Sequence, residues 1–400
     1  MTTAVATASP ARAVEPRHAG WAGIALGLVA WFIALPPALV RSPVPSIVIG
    51  LLAMTAGAWA IGGGERKLGW GAVVAGLVGA VGAFASTKSG VGNLKDVVTW
   101  SALVAATLRY ATPLIFGALG GIVCERSGIV NVGLEGMMLM GAFFGIYGAD
   151  AFGSWVLGLL VAMVAGGALA FVHAFFCIQL RADQVVSGIA LNFIALGLTG
   201  YVFLDHYGDQ GTPDNVPRVP DLSLPGIKDI GFVGDAIGHA SLLTWIALIG
   251  VVALAVFLFR TPGGLRLRAV GEHPRAAETV GISVTRTRYV AVVASGVLAA
   301  MGGAYLSIGF VGSFNQNMTA GRGFIALAAV IFGNWRPYGA LAAALLFGFS
   351  SALAQRLPAF SSSGAVLFQA LPYVLTLIAV AGIIGRSRPP AAAGQPYVKE

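Results

Sequence analysis

Charge is what this sequence has least of. Its 400 residues include 24 Lys plus Arg and 16 Asp plus Glu, a charged share of 10%, where an ordinary soluble domain carries roughly 25%. With 57% hydrophobic residues beside that shortage, the chain cannot cover itself with a water-soluble surface. Nor does it have the low hydrophobicity and high charge of a disordered chain. Cysteine is nearly absent as well. Cys124 and Cys177 are too few for a disulfide framework or a cysteine metal cluster, and their apolar neighbourhoods mark them as small buried residues. The five histidines, at 18, 173, 206, 239 and 273, are scattered. H-E-x-x-H and the G-x-S-x-G elbow do not occur, which excludes a zinc protease and a serine hydrolase of those types. Gly90 to Lys95 resembles a phosphate loop only superficially and lacks G-x-x-x-x-G-K-[ST], so this chain is not expected to bind ATP itself.

What the sequence has in abundance is long apolar runs, at a mean hydropathy of +0.84. They fall at about 21–40, 44–63, 69–87, 97–123, 129–149, 154–180, 184–204, 240–259, 289–311, 320–333, 338–357 and 365–385. Since about 20 apolar residues cross a bilayer as a helix, the expected fold is an all-α polytopic membrane protein with ten to twelve transmembrane helices. The run 320–333 is too short for a full span and 129–149 carries Glu135, so either suits a broken or re-entrant helix packed within protein.

Basic residues orient the runs. The segment 260–288 carries arginines at 260, 266, 268, 275, 286 and 288 against Glu272 and Glu278, which places it in the cytoplasm. Residues 205–239 hold six aspartates, at 205, 209, 214, 221, 229 and 235, against Arg218 and Lys228, and form an external loop. The net charge of +8 then reflects topology rather than a nucleic-acid surface. The expected organisation is a cytoplasmic leader at 1–20, followed by an uncleaved first span, N-terminal helices at 21–96, a core at 97–385 and a cytoplasmic tail at 386–400. Lys88 and Lys95 fall outside in this scheme, a mild violation of the positive-inside rule.

The cytoplasmic loop holds the most informative motif, G-E-H-P-R-A-A-E-T-V-G-I at 271–282. Proline suits a first helical position and glycine the position past a helix end, so a two-turn helix is expected from about Pro274 to Val280. Ala276, Ala277 and Val280 are read as its apolar face, with Arg275, Glu278 and Thr279 polar. A helix this short is not stable alone. It makes sense as a docking element received by a cytoplasmic partner, or as a solvated loop helix.

Polar residues within the runs form a second group. Glu135 must face protein, water or the interface, as a pathway or gate residue or as a structural hydrogen bond at a Gly-rich break. Arg109 lies near the middle of its run, and a pairing with Glu135 is one option. Asn131, Asn192, Asn315, Gln316 and Asn317 are candidates for contacting a polar solute, against the commoner role of buried amides as interhelical glue. Gly117 to Gly121 resembles Ala299 to Gly303, and each is followed by a second glycine motif, at 133–136 and 321–323. This pattern fits either an inverted repeat of the kind that places a path between two halves or chance similarity.

Four stretches resemble a known family: T-L-R-Y-A-T-P-L at 107–114, C-E-R-S-G-I-V-N-V-G-L-E-G at 124–136, R-A-D-Q-V-V-S-G at 181–188 and T-P-G-G-L-R-L-R-A-V-G-E-H-P at 261–274. Together they are similar to inner-membrane permeases of ATP-binding-cassette importers. The likeness is greatest to the second permease of the purine-nucleoside (basic-membrane-protein type) importers, relatives of simple-sugar and branched-chain amino acid permeases. It covers about 100–390, and residues 1–96 match less clearly.

The resemblance implies a type II importer fold and a heterodimer with a paralogous permease. It also implies a cytoplasmic ATPase that binds ATP and Mg²⁺, an extracytoplasmic solute-binding lipoprotein, and no cofactor in this chain. The family's coupling helix corresponds to Glu272 through Gly281, so Glu272, His273, Pro274, Arg275, Ala276, Ala277, Glu278, Thr279 and Gly281 become candidate ATPase-coupling residues. A stand-alone channel or secondary carrier in the same membrane is the alternative.

Overall fold

The computed structural model describes residues 15–34, 44–88, 100–223, 234, 237–356 and 388–398, and they fall into two compact units. The first unit, residues 1–99 with 354–385, contains α1 (Pro16–Ala34), α2 (Val44–Gly62) and α3 (Arg66–Lys88). Its interior is built from small residues: Ala30, Ala53, Ala60 and Ala72 are buried, while Trp21, Leu51, Leu52, Trp59 and Trp70 point outward. Lipid solvates a leucine as well as a protein core does, so helices in a bilayer gain chiefly by close backbone approach, which small residues permit.

The second unit, residues 100–353 with 386–400, carries the remaining helices. In order they are α4 (Trp100–Glu125), α5 (Leu134–Phe152), α6 (Trp155–Ala174), α7 (Gln184–Tyr207), α8 (Leu242–Arg260), α9 (Pro262–Glu272), α10 (Pro274–Thr279), α11 (Val284–Ala304), α12 (Arg322–Phe332) and α13 (Pro337–Arg356). Wider π turns end α6 at Phe175–Gln179 and α11 at Tyr305–Val311. The acidic loop contributes one feature the sequence reading did not anticipate, an antiparallel pair of β1 (Asp221–Ser223) and β2 (His239–Ser241) with Leu222 opposite Ala240. At the centre lies α5, buried along most of its length and packed on α6, α7, α11 and α12. Glycine makes that packing possible. A Cβ on Gly303 would collide with the Met138 carbonyl, and one on Gly120 would lie 2.6 Å from the Ser295 carbonyl oxygen.

Seven described helices are long and apolar enough to cross a bilayer, so the chain is a multi-pass membrane protein. Three others, α1, α3 and α5, have 19, 23 and 19 residues. The run 320–333 becomes an 11-residue helix, α12, too short to span. The run 129–149 becomes helical only from Leu134, behind an irregular segment. The run 365–385, the Gly90–Lys95 stretch and most of the N-terminal leader lie outside the described residues. Both cysteines are free and buried.

Candidate functional site

Between α4 and α5 the chain runs non-helically through protein at 126–133. Buried backbone N–H and carbonyl groups need hydrogen-bond partners, and here side chains from distant helices supply them. The Val130 N–H donates to Gln184 Oε1 at 2.6 Å, and the Val130 carbonyl faces His173 Nε2 at 3.2 Å. Asn131 folds back to accept the Gly133 N–H at 3.1 Å and donates to Ser295 Oγ at 3.0 Å. Asn192 accepts the Gly136 N–H at 2.7 Å and donates to the Val132 carbonyl at 3.0 Å. On α7, Asp183 caps the helix by accepting the Val185 and Val186 N–H groups, and Ser187 bonds the His173 ring at 3.0 Å. Within the R-A-D-Q-V-V-S-G stretch, Asp183 thus starts the helix while Gln184 and, through His173, Ser187 hold the break.

Glu135, 8% exposed, reaches from the first turn of α5 to the start of α12. Its two carboxylate oxygens accept the Gly321 N–H at 2.8 Å and the Gly323 N–H at 2.6 Å. Those N–H groups have no partner within the helix they begin, and a negative charge is favoured at a helix N-terminus. The two second-position glycine motifs of the sequence repeat therefore meet. Arg109 does not take part: Glu135 is spent on α12 and Arg109 is exposed on α4. The structure brings Asn131, Glu135 and Asn192 into one neighbourhood and leaves Asn315, Gln316 and Asn317 exposed, with Asn315 lining a separate cavity of about 450 Å³ beside Asp209 and Thr212.

The arginine-rich loop folds into two helices, where the sequence predicts only the second. Thr261 caps α9 by accepting the Gly264 N–H at 3.1 Å, with Pro262 at its first position. The threonine-proline pair was a legible start signal for this helix. His273 and Pro274 begin α10, and Gly281 ends the turn after it at φ +84°. The expected apolar face needs correction. Ala277 is 3% exposed, packed on Val270 and Val284 with Ile282 and Tyr397, whereas Val280 is 74% exposed. Residues 276 and 280 are one turn apart on the exposed side, and 277 is rotated about 100° from 276, so it turns inward. The surface open to a partner is therefore Arg275, Ala276, Thr279 and Val280.

The arginine-rich loop and the break touch directly. Gly271 abuts the Arg126 carbonyl so closely that a side chain there has no room. Arg126 pairs with Glu272 at 3.8 Å and donates to the Trp335 carbonyl through Nε and Nη2, while the Trp335 indole N–H donates to Glu125. Burial lowers the pKa of the Arg126 guanidinium and Glu272 offsets this; the group stays cationic. Among the described residues no group of three metal-ligating side chains forms.

Residues 103–380 match the family described as the permease component of branched-chain amino acid transport systems. The chain belongs to this family. Among relatives of the permease, the guanosine ABC transporter permease protein NupQ of Bacillus subtilis is 44% identical over 75% of this chain and 97% of its own length. The nucleoside ABC transporter permease protein NupC of Lactococcus lactis is 39% identical over 76% and 98%. The putative glucose ABC transporter permease protein TsgC13 of Haloferax volcanii is 38% identical over 64% and 77%. No solved structure matches the chain. The protein is accordingly a transport subunit and not an enzyme.

Proposed function

We propose that this permease forms the membrane path of an ATP-driven importer of nucleosides and that partner ATPases gate it through α10. The observation that carries the coupling role is the short α10, whose residues 275, 276 and 279 are exposed, joined to the α4–α5 break through Gly271, Glu272 and Arg126. A helix of this length gains its stability from what it packs against, and its outward Val280 offers an apolar contact to a partner. ATP and Mg²⁺ belong to the cytoplasmic ATPase, and this chain carries no cofactor. A paralogous permease completes the path, and an extracytoplasmic binding lipoprotein delivers the solute. Both termini lie in the cytoplasm, as the arginine loop orients them.

The nucleoside reading is supported by the names of the Bacillus and Lactococcus relatives, which align over almost their entire length. The Haloferax relative favours a sugar as the second reading. Competition separates the two. In cells expressing the full importer, uptake of labelled guanosine is expected to fall at least tenfold with excess unlabelled adenosine or inosine and to be unchanged by excess glucose. Suppression by glucose, with no effect of nucleosides, would reverse the assignment.

A further inference from the structure

The C-terminal segment 388–398 lies across the coupling loop, where the sequence implied only a cytoplasmic tail. Along one edge it holds the end of α9 and the last turn of α10. The Ala392 N–H donates to the Gly271 carbonyl at 2.9 Å, the Ala391 N–H donates to Glu272 Oε2 at 3.1 Å, and the Tyr397 hydroxyl donates to the Glu278 carboxylate. Along the other edge it holds the break: the Gly394 N–H donates to the Gly128 carbonyl at 3.2 Å. Its first described residue, Arg388, donates its N–H to Asn334 Oδ1 at 3.0 Å in the turn between α12 and α13.

Arg288 joins the two edges. At the start of α11 and only 2% exposed, it donates through Nε to the Ser127 carbonyl at 3.2 Å and through Nη1 to the Gln395 carbonyl at 3.3 Å. Its guanidinium carbon lies 5.8 Å from the Tyr397 ring centroid, the geometry of a cation–π contact. Burying an arginine against carbonyls and a ring, with no carboxylate among its hydrogen-bond partners in the described residues, is costly, and the position is explained if the charge fastens three chain segments at once. Burial and the neighbouring Glu278 carboxylate push the Tyr397 phenol up to about 12, so it remains a donor at any physiological pH.

We infer that 388–398 is a strap that fixes α10 to the α4–α5 break, so that a displacement of α10 reaches the break through Tyr397, Gln395 and Arg288. This rests on the reading of α10 as the ATPase-coupling helix. Tyr397 and Arg288 are positioning residues: they touch neither solute nor nucleotide. Without the strap, α10 keeps its outward face but is held less firmly to the segment it must move.

The test uses the complete importer in proteoliposomes with three variants: Tyr397→Phe, a truncation after Arg388, and Val280→Asp as a control on the coupling helix itself. ATPase retention, ATP hydrolysis and guanosine uptake are measured together. Tyr397→Phe and the truncation are expected to retain the ATPase and hydrolyse ATP, but to import about threefold and tenfold less solute per ATP, respectively. A role confined to stability would lower all three readouts in proportion and leave that ratio unchanged, which overturns the strap. So does an unchanged ratio in Tyr397→Phe should the truncation fail to assemble. Val280→Asp should lose the ATPase. If it keeps both ATPase and uptake, the reading of α10 falls and the strap with it. If it loses them while the strap variants match wild type, only the strap falls.

Discussion

Replacing Glu135 by alanine is expected to lower the thermal midpoint of the purified permease by several degrees and to cut uptake to below about a tenth of wild type. The carboxylate accepts two N–H groups at the start of α12. Alanine leaves both without an acceptor in a buried site, where each unsatisfied group costs about 1–3 kcal/mol. The combined loss is large beside the 5–15 kcal/mol, roughly, that holds a typical domain together. Glu135→Gln keeps one acceptor and should fall between the two. Thermal unfolding followed by size-exclusion chromatography checks this. A pathway residue that contacts solute would behave differently: Glu135→Gln would then change the apparent affinity for solute at an unchanged midpoint.

Val280→Asp is expected to reduce ATPase retention at least tenfold while leaving the permease's own thermal midpoint unchanged. Val280 is 74% exposed, so a carboxylate there stays hydrated in the isolated chain. In a complex it would be desolvated against an apolar contact, and about 1.4 kcal/mol of that penalty already makes a tenfold change in binding. Ala277→Asp should show the opposite pattern. It buries a charge among Val270, Val284 and Tyr397, so the midpoint drops and any loss of ATPase follows from a disrupted loop. Affinity capture with a tagged ATPase, paired with a melting curve for each variant, separates the two effects.

The sequence disclosed the parts of this structure that are written locally. Pro274 and Gly281 bracket α10, Glu135 sits at a glycine-rich break, and the short run at 320–333 becomes the short helix α12. These depend on residues a few positions apart, where capping and helical period operate. What stayed hidden depends on partners far along the chain. Nothing near Gln184 says that its amide serves Val130, and nothing near Glu135 says that it caps a helix at Gly321. Arg288 counted as one of six loop arginines orienting the chain, yet it folds beneath the loop, because the positive-inside rule counts charges without placing them. The strap has neither apolar periodicity nor a capping box: Pro389 to Pro396 bonds mainly through backbone N–H and carbonyl groups, which every sequence carries. Ala277 was misplaced for a simpler reason, that on two turns of helix an inward and an outward alanine can be neighbours.

On the function proposed above, this permease moves solute only when an ATPase drives it. The most direct measurement compares labelled guanosine uptake in vesicles holding this chain alone, the chain with its paralogous permease, and the complete importer with its binding protein, each with and without ATP. Concentrative uptake is expected only in the complete importer with ATP, and no flux above that of empty vesicles from the chain alone. Saturable guanosine flux through the chain by itself, independent of ATP, would contradict the account and make the protein a stand-alone carrier.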